Sequence, residues 1–376
     1  MTRTTDTARV FIQPRPQTFE TVTDPQRAEF HRRLPLYAPT PLISAPHLAR
    51  RLGVRRVWIK DESSRLGLPA YKILGASWAT YRELGARFGP FTPWTTLDEL
   101  RGQLPPVTLV AATDGNHGRA VARTAQWLNL KAQILVPQDM APARQEAIRS
   151  EGADLHSIDG SYDDAVRAAA RLADDRHLVI SDTAWEGYQR VPGWVIAGYG
   201  TIFDEIDQQL AALGEAQPSV VAVQMGVGSL AAAVIQHYRA PHTRTQVLGV
   251  EPTRADCVLR SLESGRLTEV PGPHTSIMAG LNCGTPSPLA WPLLQGGLSA
   301  AVAVPDARAE DAMRLLAQNG VVSGESGAAG LAGFLELLDG PHPEARSALG
   351  LGAGSNLLVI STEGATDPAA YRRIVG

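Results

Sequence analysis

The sequence contains only two cysteines in 376 residues, too few for a fold held together by disulfide bonds. Neither Cys257 nor Cys283 has a neighbouring histidine or cysteine at the spacing of a zinc site, so we expect no metal there. Two buried, unreactive thiols are therefore predicted, and it stays open whether the two lie close enough to oxidise to each other. A cysteine nucleophile is disfavoured, because no histidine stands in a motif that would supply its base.

The sequence also lacks an excess of positive charge and any long apolar run. The 35 lysines and arginines are balanced by 38 acidic residues, so there is no basic stripe to bind a phosphate backbone and nucleic acid is not an expected partner. No apolar stretch approaches the ~20 residues that span a bilayer. The first residues also lack the apolar core of a signal peptide. We therefore expect no membrane association and a cytosolic location.

What the sequence does contain is an alternation of short β-branched runs with longer amphipathic ones. This pattern is typical of an α/β fold with mostly parallel sheets, and the length and the hydrophobic content of 44% favour two domains. The predicted strands are residues 57–60, 107–112, 132–137, 154–158, 177–180, 219–224, 246–250 and 356–360. The predicted helices are residues 73–84, 117–128, 141–151, 162–173, 201–213, 230–237, 309–318 and 328–338.

The segment 113–118, Thr-Asp-Gly-Asn-His-Gly, follows a predicted strand and begins a helix; we call it the asparagine turn. A strand-to-helix turn of this kind directs backbone N–H groups at an anionic ligand. Upstream, Lys72 offers an amine that can form a Schiff base, although a lysine at a helix start is by itself more often just exposed. Asp114 is the unusual residue of the turn. It is either a functional carboxylate or a helix N-cap.

A second glycine-rich turn comprises Gly226, Val227, Gly228, Ser229 and Leu230; we call it the phosphate turn. It follows a predicted strand and begins a helix, which is a geometry that binds phosphate. It lacks the lysine of a P-loop and the third glycine of the dinucleotide fingerprint, so a single phosphate group is favoured over a nucleotide. The alternative is a tight turn that binds nothing.

The last predicted strand ends in short polar residues, Ser361 and Thr362, at a position where parallel strands deliver side chains to a ligand. A capped turn is the alternative. A Schiff-base lysine, an anion-binding turn, a phosphate turn and a terminal hydroxyl together match the aldehyde, phenolate, phosphate and ring nitrogen of pyridoxal phosphate. We therefore predict that the chain binds this cofactor.

With these motifs the chain resembles the fold-type II pyridoxal-phosphate enzymes and, within them, the diaminopropionate ammonia-lyases. The resemblance begins near Pro41 and covers almost all of the following chain. The segments that carry it are residues 60–63 with Lys72, 113–118, 181–188, 277–281, 323–327 and 360–364. Asp-Thr-Ala-Trp-Glu-Gly-Tyr at 182–188 and the aspartate of the asparagine turn indicate the ammonia-lyases, whereas the lysine and the phosphate turn are shared more widely.

The resemblance implies two open, twisted domains with mostly parallel sheets and the cofactor in the cleft between them. Residues 1–80 with 196–376 are expected to form the large, cofactor-binding domain, and residues 81–195 the small one. A homodimer is implied as well. The relatives that depend on magnesium have an acidic ligand soon after a Glu-Pro dipeptide, where this chain has Cys257 instead, so no metal is expected.

The resemblance also implies roles for individual residues. Lys72 would form the Schiff base, Asn116 would contact the cofactor phenolate, and Ser361 or Thr362 would face the ring nitrogen. The phosphate turn would bind the cofactor phosphate, and Thr113 would hold the substrate carboxylate. Pro69 departs from the asparagine that the relatives carry near the lysine and stiffens the approach to it.

The implied reaction is the elimination of ammonia from 2,3-diaminopropionate, in either its D or its L form, which gives pyruvate and two ammonia. Asp114 would take the Cα proton from the D isomer, while Lys72 or Asp182 would serve the L isomer. Asp182 would also bind the distal ammonium of this amino-acid substrate, or it is only a turn residue. The alternatives are a serine or threonine dehydratase on the same scaffold and a cofactor-binding protein without turnover.

Overall fold

The computed structural model describes residues 7–20 and 24–376. The chain divides into two compact units. The large unit comprises Met1–Val22, Thr40–Ser63 and Ile202–Gly376, and the small unit comprises Thr23–Pro39 and Ser64–Thr201.

Strands and helices are numbered in chain order within the described residues. The strands are β1 (Arg9–Ile12), β2 (Leu42–Ser44), β3 (Arg56–Asp61), β4 (Thr108–Ala112), β5 (Lys131–Pro137), β6 (Asp154–Ile158), β7 (His177–Val179), β8 (Val220–Gln224), β9 (Gln246–Pro252), β10 (Ala300–Val304) and β11 (Asn356–Ser361). The helices are α1 (Pro25–Arg32), α2 (Pro46–Leu52), α3 (Lys72–Phe88), α4 (Leu97–Arg101), α5 (Asn116–Leu128), α6 (Pro142–Arg149), α7 (Tyr162–Ala170), α8 (Arg190–Ala212), α9 (Ser229–Tyr238), α10 (Cys257–Ser264), α11 (Trp291–Gly297), α12 (Asp306–Gln318), α13 (Ala329–Asp339), α14 (Pro343–Ala348) and α15 (Pro368–Val375).

The large unit contains a seven-stranded sheet in the order β1-β10-β9-β8-β11-β3-β2. Its five inner strands are parallel, and the two edge strands β1 and β2 are antiparallel to their neighbours. The inner strands β8 to β11 are mostly apolar, as is typical of parallel strands that are covered on both faces. In β8 and β10 every residue is buried.

The small unit contains a four-stranded, fully parallel sheet in the order β6-β5-β4-β7. Its core packs Val110 and Ala112 of β4 against Leu135 of β5 and against Ala165 and Ala169 of α7. Both units therefore have the α/β organisation with mostly parallel sheets that the sequence predicts.

The boundaries of the units differ from those predicted at 80/81 and 195/196. In the structure they fall after Ser63 and within α8, so Lys72 and the rest of α3 belong to the small unit. The reason is helix packing: a Cβ at Gly198 of α8 would lie 2.6 Å from the Leu74 carbonyl oxygen, which means that α8 and α3 approach closely there. Residues 23–39 also join the small unit, which the sequence does not indicate.

Helix α8 begins eleven residues before the predicted start at Thr201. The segment contains Pro192 and several glycines, which interrupt the apolar periodicity in the sequence. Pro192 is tolerated because it lies in the first turn, where its missing N–H has no helical partner to lose. In the described part of the chain, no helix has the length and apolar character needed to cross a bilayer.

Candidate active site

Lys72 and Asp182 form an ion pair in the small unit, although they are 110 residues apart in the sequence. Lys72 is the first residue of α3, and Asp182 lies beyond the carboxyl end of β7. The Lys72 Nζ and Asp182 Oδ2 atoms are 2.6 Å apart, with side-chain exposures of 20% and 7%. Tyr162 donates a hydrogen bond of 3.3 Å to the second carboxylate oxygen of Asp182. The Asp182 carboxylate thus contacts side chains of both α3 and α7.

The ion pair determines the charge of both groups. Burial alone would lower the pKa of Lys72 and raise that of Asp182. Their mutual attraction outweighs this effect, so the pKa of the Lys72 amine is raised and that of the Asp182 carboxyl is lowered. The site therefore holds one ammonium group against one carboxylate at neutral pH.

Two tyrosines enclose the Lys72 amine on its apolar side. The Lys72 Nζ atom lies 5.4 Å from the ring centroid of Tyr71 and 6.0 Å from that of Tyr199. The Tyr199 ring packs over α3 where Gly75 leaves room, since a Cβ at Gly75 would lie 2.5 Å from the ring. This packing fixes the direction in which the lysine side chain leaves its helix.

The asparagine turn lies next to Asp182 because of the sheet topology. It follows β4, which pairs in parallel with β7, so both segments emerge from the same edge of the sheet. The Thr113 hydroxyl oxygen accepts the backbone N–H groups of Gly115 and Gly118, each at 2.9 Å, and this closes the turn. Asn116 is the first residue of α5, where the N–H groups of the first turn lack helical acceptors.

Asp114 does not cap α5. The N-cap position is occupied by Gly115, whose φ of +146° is accessible to glycine, and no side chain caps the helix. Within residues 7–20 and 24–376, no hydrogen bond to the Asp114 carboxylate is found. The alternative of a structural cap is therefore wrong.

The environment of Asp114 moves its pKa to about 7. Burial is the main cause of this rise, and the Arg144 guanidinium is the strongest opposing influence. The negative charges of Asp182 and Asp163 raise the pKa further, while Lys72 lowers it. Near neutral pH, the Asp114 carboxyl therefore exists in both protonation states, which is the property of a proton-transfer group.

His117 completes this part of the site, and the sequence reasoning assigned it no role. Its Nε2 atom lies 2.8 Å from the Ile180 carbonyl oxygen, to which it donates, and its Nδ1 atom lies 3.9 Å from the Asp182 carboxylate. Burial lowers its pKa, so the imidazole is neutral and Nδ1 is an acceptor. The one feature of the sequence that could have indicated a role for His117 is its position in the asparagine turn.

In the large unit, the phosphate turn connects β8 to α9. Gly228 has a φ of +96°, and a Cβ there would lie 2.5 Å from Leu294 Cδ1, so the position requires glycine. A Cβ at Gly226 would lie 3.1 Å from the Gly280 carbonyl oxygen. The turn therefore brings bare backbone to the N-terminus of α9, which is suited to a phosphate group.

Thr362 and the phosphate turn belong to neighbouring strands. Strand β11 pairs in parallel with β8, so Thr362 follows one strand and Gln224 ends the other. Gln224 Nε2 donates a hydrogen bond of 2.7 Å to the Thr362 hydroxyl oxygen, which leaves the hydroxyl proton of Thr362 for another acceptor. Ser361 instead donates its proton to the Ser323 hydroxyl at 2.8 Å.

Cys257 and Cys283 are both buried free thiols. The Cys257 sulfur lies 3.8 Å from a carboxylate oxygen of Glu251. Burial raises the pKa of Cys257, and the neighbouring Glu251 raises it further, so this thiol is unreactive as predicted. Within the part of the chain that the structure describes, no group of acidic, histidine or cysteine side chains is arranged to hold a metal ion.

The family model "Pyridoxal-phosphate dependent enzyme" matches residues 33–362. The diaminopropionate ammonia-lyase of Salmonella typhimurium is 38% identical over 92% of this chain and 90% of its own length. The crystal structure of diaminopropionate ammonia-lyase from Escherichia coli in complex with D-serine superposes with a TM-score of 0.89 and 34% identity, covering 98% of this chain and 97% of that chain.

The crystal structure of a T.th. threonine deaminase superposes with a TM-score of 0.71 and 25% identity, covering 91% of this chain and 98% of that chain. The likeness to the ammonia-lyases is thus greater in fold and in sequence. These matches confirm the fold-type II architecture that the motifs predict and the use of pyridoxal phosphate in the family. The chain belongs to the diaminopropionate ammonia-lyase family of pyridoxal-phosphate dependent enzymes.

Proposed function

We propose that this protein eliminates ammonia from 2,3-diaminopropionate. With one water molecule, the substrate yields pyruvate and two molecules of ammonia, without net oxidation or reduction. The observation that carries the proposal is the carboxylate of Asp182, which holds an alkyl ammonium group, that of Lys72, at 2.6 Å. A substrate that itself bears an alkyl ammonium group at Cβ fits such a carboxylate, and the similarity to the ammonia-lyases supports the same assignment.

The residues present fit pyridoxal phosphate. We infer that Lys72 carries the cofactor as a Schiff base, that the phosphate turn binds its phosphate and that Asn116 contacts its phenolate. Of the two hydroxyls at the end of β11, that of Thr362 is the better partner for the ring nitrogen, because Ser361 already donates its proton to Ser323. When bound, the cofactor withdraws electrons from the substrate Cα and so acidifies the Cα proton.

We assign proton removal to groups on the small unit. Asp114 is the proposed base for the D isomer, because its pKa of about 7 lets it accept a proton near neutral pH. Lys72 would be the base for the L isomer, with Asp182 as the alternative. Thr113 and the N–H groups of the asparagine turn are the proposed binding site for the substrate carboxylate.

Asp182 has a second proposed role, in keeping the leaving group protonated. In the structure its pKa is lowered, mainly by the charge of Lys72, and a substrate ammonium group in place of the Lys72 amine would keep it a carboxylate in the same way. A carboxylate stabilises the charged form of a neighbouring amine. The distal nitrogen is thereby held as an ammonium group until the bond to Cβ breaks, and it then leaves as neutral ammonia with the bonding electron pair.

The test is to incubate the purified protein with D- and L-diaminopropionate, serine and threonine, and to measure the keto acid formed. We expect pyruvate from both diaminopropionates. Asp114→Asn should abolish turnover of the D isomer and spare the L isomer. Asp182→Ala should reduce diaminopropionate turnover far more than any serine turnover. An equal loss of turnover for both isomers in Asp114→Asn would contradict the role of Asp114. An equal loss for diaminopropionate and serine in Asp182→Ala would contradict the role of Asp182.

The second candidate is a serine or threonine dehydratase, which the likeness to threonine deaminase favours. Faster release of keto acid from serine or threonine than from diaminopropionate would support it. Absorbance that shifts on borohydride reduction and is lost in Lys72→Ala establishes the Schiff base independently of turnover. A homodimer and a cytosolic location stay predictions; light scattering after size exclusion measures the first.

A further inference from the structure

We propose that Arg144 is a positioning residue of the active site, whose guanidinium group favours the carboxylate form of Asp114 beside the asparagine turn. The proposal rests on the proposed function, because it assumes that Asp114 acts as a base. It adds a residue from α6, an element that carries none of the groups assigned so far.

The first observation is that Arg144 packs on the turn itself. Its Cδ and Cγ atoms lie 3.4 Å and 3.9 Å from the point where a Cβ of Gly115 would be. Because Gly115 has no side chain, the arginine methylenes lie directly against the backbone of the residue that follows Asp114. The arginine stem thus packs on the residue next to Asp114, which places its charged end on the same side of the turn.

The second observation is that both groups lack other partners. Within residues 7–20 and 24–376, no ion pair of Arg144 within 4.0 Å is found, and neither is a hydrogen bond to the Asp114 carboxylate. Other arginines of the small unit, such as Arg119 and Arg123, are committed to the buried carboxylate of Glu151. Arg144 is therefore available to compensate the charge of Asp114.

The third observation concerns the other charges that face Asp114. Asp182, beyond β7, and Asp163, on α7, both disfavour a second negative charge. Lys72, on α3, favours it, but its ammonium group is already paired with Asp182 at 2.6 Å. Arg144 is thus the cation whose charge is not compensated by an ion pair, and it has the larger effect of the two on Asp114.

The test uses Arg144→Gln, which removes the charge, and Arg144→Lys, which retains it. Arg149→Gln is the matched control, because Arg149 ends the same helix, is exposed, and contacts Gln145 at 3.2 Å and Glu146 at 3.8 Å, neither of which belongs to the site. The dependence of kcat/KM on pH is measured with D- and L-diaminopropionate. A structural role alone would lower activity at every pH and would not move the midpoint of the profile.

For the D isomer, we expect the acidic limb of the wild type to have its midpoint near pH 7, the pKa of Asp114. Loss of an opposite charge nearby raises a carboxyl pKa by about one unit, so the midpoint of Arg144→Gln should move up by that amount. At pH 7 this is a loss of about fivefold in kcat/KM, which is recovered at higher pH. Arg144→Lys, Arg149→Gln and all reactions of the L isomer should keep the wild-type midpoint.

A second readout needs neither cofactor nor turnover. The carboxyl resonances of protein labelled with ¹³C-aspartate are titrated by NMR, and Asp114 is identified as the signal that Asp114→Asn lacks. Its midpoint should rise in Arg144→Gln and stay in Arg149→Gln and Arg144→Lys. If Arg144→Gln does not fold, Arg144→Met replaces it in both measurements.

The outcomes separate the two proposals. An unchanged NMR midpoint in the variant without the charge, or a raised one in Arg144→Lys, overturns the role of Arg144. If Asp114→Asn retains full turnover of the D isomer, the assignment of the base fails, and with it the catalytic meaning of the Arg144 contact. A raised NMR midpoint combined with a shifted profile for the D isomer alone supports both.

Discussion

Replacing Gly118 with alanine tests whether the asparagine turn is held by close packing. A Cβ at Gly118 would lie 2.3 Å from Thr113 Cγ2 and 2.7 Å from Ile134 Cγ2. Atoms cannot approach so closely, so α5 or the turn must move. Overpacking of this kind costs about 1–3 kcal/mol. The displaced residue would be Thr113, whose hydroxyl closes the turn, and we expect turnover to fall together with stability.

Gly85→Ala is the control, because Gly85 also lies in a helix of the small unit but has only an ordinary contact, 3.7 Å from the Phe91 ring. There the change should stabilise the helix by up to about 1 kcal/mol, since alanine is the better helix former. The two variants should therefore differ by about 1–4 kcal/mol.

Native-state hydrogen exchange of the α5 and α3 amides measures the difference between these two variants. Two variants of equal stability, or Gly118→Ala with wild-type turnover, would refute the packing argument. A fall in turnover without any change in the exchange of α5 would also contradict it, because the predicted displacement must loosen that helix.

Two further predictions concern the large unit. Gly228→Ala should weaken cofactor binding at least about tenfold, because the alanine must adopt a φ of +96° with its Cβ 2.5 Å from Leu294 Cδ1. Spectroscopic titration of the apoprotein with the cofactor measures the affinity. An unchanged affinity would argue against the phosphate site. Burial raises the pKa of Glu251 to about 8, so the native state holds this proton more tightly than the unfolded chain does. The contribution of Glu251 to the free energy of unfolding is fully present below the ordinary glutamate pKa and is lost as the pH rises to about 8. Denaturant unfolding at several pH values should therefore show the stability difference between Glu251→Gln and the wild type shifting in favour of the variant as the pH rises across that range.

Most of the regular structure could be predicted from the sequence because its signals are local. Helix α5 was predicted from residue 117 and begins at Asn116, and β6 was predicted at its observed bounds. Strand β10 was missed, since Ala300–Val304 is a short alanine-rich run that periodicity cannot distinguish from other buried segments. Strand β1 was missed for another reason: it depends on antiparallel pairing with β10, about 290 residues away.

The residues of the candidate site also fall into those that the sequence predicts and those that it does not. The asparagine turn, the phosphate turn and Lys72 are recognisable because each motif is contiguous and has a chemical reason for its residue types. Arg144 and Tyr199 gave no signal, since one is an arginine on an exposed-looking helix and the other lies in a segment where proline and glycine obscure the helix.

The sequence by itself determined the α/β class and the cofactor, and it predicted the main reactive groups, including the aspartate in the asparagine turn. The tertiary structure decided the state of these groups. It pairs Lys72 with Asp182 across 110 residues, buries Asp114 so that its pKa is about 7, and places Arg144 against the asparagine turn. The physical reason is that proton affinity depends on burial and on the distance between charges, and both are set by the packing of segments that are distant in the chain.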